Sequence, residues 1–203
     1  MVHGGAEGRS ALPLVVAVVL VALVAVFFLP SLGNEFLPDW DDGYYLSDNP
    51  IVRGGLTLEG VQRAFAQRHG ANWIPVTWIS HMIDVSLSGL VPWKHRLVNV
   101  ALHAANAVLV FTLLRFATGA LWPSALAAAL FAVHPLRVES VVWVAERKDV
   151  LSACFGLLCL LAYLRWAARR RPGRYVAVAC LFALSLMAKP MLVTLPALLL
   201  VLD

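Results

Sequence analysis

The stretch that decides the fold is ALPLVVAVVLVALVAVFFL, residues 11–29, which contains 19 residues and no charge. At a rise of about 1.5 Å per residue, a helix of this length crosses a hydrocarbon core of about 30 Å. A cleavable secretory signal has a shorter apolar region that ends in small residues, whereas this stretch ends in Phe27-Phe28-Leu29. The sequence therefore predicts a retained membrane anchor.

The composition of the chain also indicates that part of it lies in lipid. Of its 203 residues, 61% are hydrophobic and 14% are charged, whereas a soluble domain is about half apolar and a quarter charged. A soluble fold of this size has too little interior for so much apolar surface, so we expect an integral membrane protein. The net charge of +4 comes mostly from arginines at the ends of apolar runs, where they anchor helices, and we expect no nucleic-acid partner.

The apolar runs predict an all-α, polytopic transmembrane helix bundle that forms a single domain, residues 1–203. The expected spans are residues 11–29, 97–114, 120–135, 150–168, 175–188 and 190–203. The sixth reaches Asp203 without a following polar flank, so we expect the chain to be truncated.

Residues 30–94 form one large polar loop, which holds seven of the twelve acids. Within it, Thr57 is a typical N-cap for a short amphipathic helix over residues 58–66, and a second helix is expected over residues 76–87. Amphipathic helices of this kind suit a loop that lies on the membrane surface.

The orientation follows from five arginines between residues 165 and 174, with no acid among them. Such a cluster is typical of the cytoplasmic side. Counting back along the spans places the N-terminus inside and the loops 30–94 and 136–149 outside.

The second span carries Asn99, His103 and Asn106, which share one helical stripe. Polar side chains at membrane depth are tolerated when they face other helices. We therefore interpret the stripe as interhelical hydrogen bonding, in preference to a catalytic role for His103.

Two features of the outer loops could carry chemistry. The first is the adjacent pair Asp41 and Asp42, where mutual repulsion makes one carboxylate readier to take a proton. An ordinary solvated acidic turn or a divalent-cation site explains the same residues.

The second feature is the charge-rich segment 134–149, which either forms a salt-bridge network or holds a lipid-linked phosphate. Its candidate phosphate-binding residues are His134, Glu139, Arg147 and Lys148, together with Lys189.

Five segments carry a family resemblance: residues 34–49 with Trp40-Asp41-Asp42, ANWIPVTW (71–78) with His81 and Asp84, LVNVALH (97–103), HPLRVESVVWVAERKDVLS (134–152) and AKPMLVTLP (188–196). The chain resembles the transmembrane half of the transmembrane-and-tetratricopeptide-repeat proteins. These are relatives of the protein O-mannosyltransferases and share the GT-C glycosyltransferase architecture. The resemblance covers nearly the whole chain from about residue 12.

The resemblance implies an inverting transfer of a sugar from a polyprenyl or dolichyl phosphate to an acceptor hydroxyl, outside the cytoplasm. The family's catalytic carboxylate then maps onto Asp41 and Asp42. In the phosphate-binding interpretation of the charges given above, Arg147, Lys148 and Lys189 would stabilise the leaving phosphate. The expected partners are the lipid-linked donor, membrane lipids and an acceptor protein or glycan, with no cofactor predicted. The expected location is a bacterial inner membrane, or the endoplasmic reticulum of a eukaryote. The alternative is a non-catalytic relative that binds lipid-linked sugar or a partner protein.

Overall fold

The computed structural model of the protein describes residues 7–69 and 72–202. The helices are α1 (Glu7–Phe28), α2 (Pro50–Arg53), α3 (Leu58–Ala66), α4 (Pro75–Ser88), α5 (Pro92–Thr118), α6 (Leu121–Val133), α7 (Val138–Val142), α8 (Arg147–Ala168), α9 (Pro172–Ala188) and α10 (Leu195–Leu202). The single β-type pairing among these described residues is an isolated bridge between His69 and Asn72. The all-α class expected from the sequence is confirmed.

Three helical stretches of the described chain are long and apolar enough to cross a membrane: Ala11–Gly33, Pro92–Thr118 and Val144–Ala168. The pair Leu121–Val133 and Pro135–Val142, bent by 55°, makes a fourth if it is one span. The integral membrane character is therefore confirmed. Residues 144–149, expected in the outer loop, are helical and lead into the third of these stretches, and their charges find partners inside the protein. That the loop 136–149 lies outside the membrane stays a prediction.

The end of the chain is built from shorter pieces. The apolar helix α9 has 17 residues, and the following segment contains a 3-10 turn at Pro190–Leu192 and the eight-residue α10. Lys189-Pro190 separates them, because proline has no N–H to continue the α9 hydrogen-bond ladder. That residues 175–188 and 190–203 each cross the membrane stays a prediction.

One stripe of α1 holds the bundle together. Val16, Leu20, Val24 and Phe28, spaced four residues apart, are at most 9% exposed and pack with residues of α5 and α6. The other faces of α1 are apolar but exposed, as Val26 at 72% shows. A helix that is apolar all round and packed on one stripe has its remaining faces in lipid.

The loop between α1 and α5 is folded against the bundle. The Thr57 hydroxyl accepts a hydrogen bond from the Gly60 amide (3.0 Å), which confirms the predicted cap of α3. In α4, Trp78 and Met82 are fully buried in an apolar cluster that includes Leu46 and Val144. This contact seats the loop on the turn that precedes α8.

The polar stripe of α5 faces other helices, as predicted. Asn99 and Asn106 donate to the carbonyls of Trp143 (3.2 Å) and Val150 (2.8 Å), and His103 Nε2 lies 2.9 Å from the Ala132 carbonyl. All three side chains are at most 1% exposed. The stripe therefore joins α5 to α6 and to the start of α8, and the interhelical interpretation of His103 is confirmed.

Candidate active site

Asp42 is a fixed structural anchor in the acidic loop. It is 1% exposed, and its two carboxylate oxygens accept hydrogen bonds from the backbone amides of Leu37 (3.1 Å) and Ala145 (3.0 Å). The second bond spans 103 residues of sequence. Asp42 therefore fastens the acidic loop to the turn before α8, and each of its oxygens already accepts one hydrogen bond.

Asp41 is placed differently, although it is the adjacent residue. It is half-buried, and among residues 7–69 and 72–202 no side chain or amide makes a hydrogen bond or ion pair with its carboxylate. The pKa of Tyr45 is raised to about 12, mainly by burial and also by the nearby Asp41 and Glu146 carboxylates. The Asp41 carboxylate therefore lies close enough to Tyr45 to influence it electrostatically.

Lys148 lies at the centre of a charged cluster beside the acidic loop. Its ammonium donates to Glu146 Oε1 (2.6 Å) and to the Ala145 carbonyl (3.2 Å), and it lies 4.4 Å from the centre of the Tyr45 ring. The Tyr45 ring stacks in turn against the buried Trp78, with centroids 5.2 Å apart. A cation held by a carboxylate and an aromatic face is fixed in position.

Lys189 reaches the same cluster from the far end of the chain. It forms ion pairs with Asp149 and, at 3.5 Å, with Glu146. Its side chain is 30% exposed, the most accessible of the three cations predicted to hold a phosphate. The Lys148 and Lys189 ammonium groups therefore share the carboxylate of Glu146.

Arg147 points the other way, into the protein. It is 0% exposed and forms an ion pair with Asp84. It also donates to Asn99 Oδ1 (2.9 Å) and to the His95 carbonyl (2.6 Å). For Arg147 these contacts support the salt-bridge interpretation over phosphate binding, because its donors are already used by protein atoms.

His134 and Glu139, the other two predicted site residues, lie apart from the lysines. The exposed His134 accepts a hydrogen bond from the Leu136 amide (3.2 Å) and so caps the turn at Pro135–Arg137. Glu139 is exposed in the first turn of α7, where it lines a groove of about 510 Å³ with Arg96 and Trp143.

Arg96 is a site residue that the sequence analysis missed. It is 3% exposed, and its guanidinium donates to the carbonyls of Asn34, Glu35 and Val142. These bonds hold the chain that leads into the acidic loop against α7. The sequence showed only a base at the start of an apolar run, which is also the position of a membrane-interface anchor.

His81, Asp84 and His95 offer a set of potential metal ligands, with one donor atom each inside 4.8 Å of the others. The two imidazole Nδ1 atoms are 3.2 Å apart, and His95 Nδ1 is 3.2 Å from Asp84 Oδ2. Two imidazoles and a carboxylate are ligands that zinc accepts. However, Asp84 already neutralises Arg147, so a divalent cation would add positive charge beside a buried guanidinium. The charge balance therefore favours a hydrogen-bonded network.

Taken together, the fold and the site define an integral membrane helix bundle with an acidic pair and a lysine–carboxylate cluster at one end. Comparison with known proteins identifies relatives of the chain. Protein O-mannosyl-transferase Tmtc2 of Drosophila melanogaster is 30% identical over 179 residues, which cover 81% of this chain and 18% of the relative. Tmtc1 of the same fly is 31% identical over 85% of this chain and 21% of the relative, and human TMTC2 is 34% identical over 47% of this chain.

The predicted resemblance is thereby confirmed, and the chain is related to this family of protein O-mannosyl-transferases. It spans about a fifth of the length of the two fly relatives. No family model matches the chain, and no solved structure matches it.

Proposed function

We propose that this chain forms the catalytic membrane part of a multi-pass glycosyltransferase. The enzyme transfers a sugar from a polyprenyl- or dolichyl-phosphate donor to an acceptor hydroxyl, on a protein or a glycan, at the extracytoplasmic face. The observation that carries the proposal is the division of the acidic pair. Asp42 accepts a hydrogen bond at both oxygens, whereas the Asp41 carboxylate has no hydrogen-bond or ion-pair partner among the described residues. The relatives are named protein O-mannosyl-transferases, which supports a protein acceptor.

The proposed chemistry is a single displacement. The acceptor oxygen forms a bond to the anomeric carbon while its proton passes to the Asp41 carboxylate. The bond from that carbon to the phosphate oxygen breaks, and the lipid phosphate leaves with the electron pair, which inverts the anomeric configuration. A general base of this kind contributes roughly 10²–10⁴ in rate.

The leaving phosphate needs positive charge, and the Lys148–Lys189 cluster is the candidate source. Lys189 is better suited than Lys148, since its side chain is 30% exposed against 8%. In this proposal a phosphate oxygen takes the place of Glu146 as the partner of Lys189, whose 3.5 Å ion pair with that acid is long.

The test replaces the proposed base in the full-length protein encoded by the native gene. Asp41→Asn keeps the shape of the side chain but removes its charge and basicity, so transfer should fall by roughly 10²-fold or more with little change in stability. Asp48→Asn is the matched control, because it removes an exposed acid from the same loop and should leave transfer unchanged. Asp42→Asn should cost less than Asp41→Asn in turnover. Wild-type transfer rates in both Asp41→Asn and Asp42→Asn would end the proposal.

A second candidate function is a non-catalytic relative that binds lipid-linked sugar or a partner protein. It is favoured by the fact that Arg147, Lys148 and Lys189 all have carboxylate partners within the protein. Measuring donor binding and sugar transfer on the same preparation distinguishes this binding function from the proposed transferase activity. Binding without transfer in the wild-type protein would select the second.

A further inference from the structure

At the end of the bundle away from the acidic loop, α1 and α5 enclose an apolar groove of about 590 Å³. Its apolar walls come from the start of α1 and the last turns of α5. The lining side chains include Leu14, Ala17, Phe111 and Phe116. Leu14 and Phe116 are 68% and 51% exposed, so the groove opens to the surroundings of the bundle, which at membrane depth are lipid.

Among the residues that the structure describes, the one charged residue that lines this groove is Arg115. It is half-buried, and within the described part of the chain no acceptor bonds its guanidinium. The sequence explains why, since no Asp or Glu occurs between Glu7 and Glu35 or between Asp84 and Glu139. Residues 8–34 and 85–138, which include all of α5 and every α1 residue that lines the groove, therefore supply no acid for Arg115.

The positive charge of this site comes from the side chain and not from the backbone. Gly119, which lines the groove, follows the C-terminus of α5, and a helix C-terminus carries a partial negative charge. The attraction of the groove for an anion therefore rests on the Arg115 guanidinium.

We propose that this groove binds one anionic phospholipid, whose headgroup phosphate is held by Arg115 and whose acyl chain lies along the apolar wall. A guanidinium matches phosphate oxygens with paired N–H groups. A soluble anion would leave the apolar wall unfilled, whereas a lipid satisfies both parts of the site. This site is independent of the proposed transfer chemistry, because it lies at the other end of α1 and α5.

The experiment measures lipid retention by native mass spectrometry of the full-length protein, with phosphatidylglycerol and phosphatidylcholine of identical chains as probes. We expect preferential retention of phosphatidylglycerol, reduced roughly tenfold or more by Arg115→Gln. Ala17→Phe fills the groove but keeps the charge, and it should also reduce retention. Arg169→Gln is the matched control, since it removes an exposed arginine outside the groove and should have no effect.

Four results would overturn the proposal. The first is equal retention in Arg115→Gln and wild type, and the second is equal loss in Arg115→Gln and Arg169→Gln, which would mean attraction by overall charge. The third is wild-type retention in Ala17→Phe, which would show that the groove is not occupied. Glycerol phosphate without acyl chains serves as the soluble probe, and binding as tight as that of the lipid would contradict the assignment to a phospholipid. Thermal unfolding of each variant verifies that it is folded.

Discussion

Replacing Arg147 tests whether this buried arginine is structural or binds the donor phosphate. Arg147→Ala removes the ion-pair partner of Asp84, whose side chain is 9% exposed. It also leaves Asn99 Oδ1 and the His95 carbonyl without the N–H groups that now bond them. We therefore expect the variant to be less stable than the wild type, whether or not a donor lipid is present.

The magnitude follows from the burial of the pair. Breaking a buried ion pair by removing one partner costs about 3–5 kcal/mol, because the remaining charge is left uncompensated in the interior. Arg63 provides the matched control, since its ion pair with Glu59 is on the surface, with the two side chains 45% and 72% exposed. Arg63→Ala should cost at most about 0.5 kcal/mol.

The assay is unfolding of the purified protein in mixed detergent, followed by tryptophan fluorescence. The variant Arg147→Leu with Asp84→Leu removes both charges and should recover much of the loss, since paired removal leaves no buried charge. The single variants Arg147→Leu and Asp84→Leu complete a cycle with this double variant, which isolates the coupling between the two residues. The reasoning is refuted if Arg147→Ala unfolds like the wild type and yet loses binding of the lipid-linked donor, because Arg147 would then be a phosphate ligand.

Two further predictions concern the same region. Burial lowers the pKa of His81 well below 6.5, and the neighbouring Arg147 adds to this shift. The unfolded chain therefore binds this proton more tightly, so stability should be full above about pH 6.5 and fall by about 1.4 kcal/mol per pH unit below it. Unfolding midpoints measured between pH 7 and pH 5 test this pH dependence of stability. If a His81→Gln variant loses stability just as steeply over that range, His81 is not its cause. Gly43→Ala should destabilise the acidic loop by about 1–3 kcal/mol, because a Cβ there collides with the Pro38 carbonyl. Gly33→Ala meets no neighbour and should be neutral, and equal unfolding midpoints of the two variants would disprove the steric argument.

Much of the fold was predictable because lipid imposes simple length and polarity rules. The first span and the capped helix at Leu58–Ala66 follow from local sequence alone. The stripe of Asn99, His103 and Asn106 was predictable because a polar group in lipid needs a partner on another helix. None of these inferences requires knowledge of which helices are neighbours.

The start of α8 could not be predicted in the same way. Charges at residues 146–149 indicate a loop when they are read one by one. The structure makes them helical because Lys148 is paired with Glu146 nearby, while Arg147 is paired with Asp84, which lies 63 positions earlier in the chain. Whether a charge costs free energy in an apolar span depends on its partner. The identity of a distant partner is not contained in local sequence.

The acidic pair Asp41 and Asp42 is a second case in which local sequence does not identify the partners of a side chain. Here the difference concerns the candidate catalytic residues. Two adjacent aspartates are chemically identical in the sequence, and spacing alone gives no reason to assign them different roles. Folding separates them, because consecutive side chains point in different directions and only Asp42 meets the Leu37 and Ala145 amides. An oxygen that accepts a buried amide hydrogen bond loses that bond if it turns toward a substrate, at a cost of about 1–3 kcal/mol for the amide left unsatisfied. Asp41 has no such bond to any residue that the structure describes, so a proton can reach it without breaking a described contact that holds the loop in place.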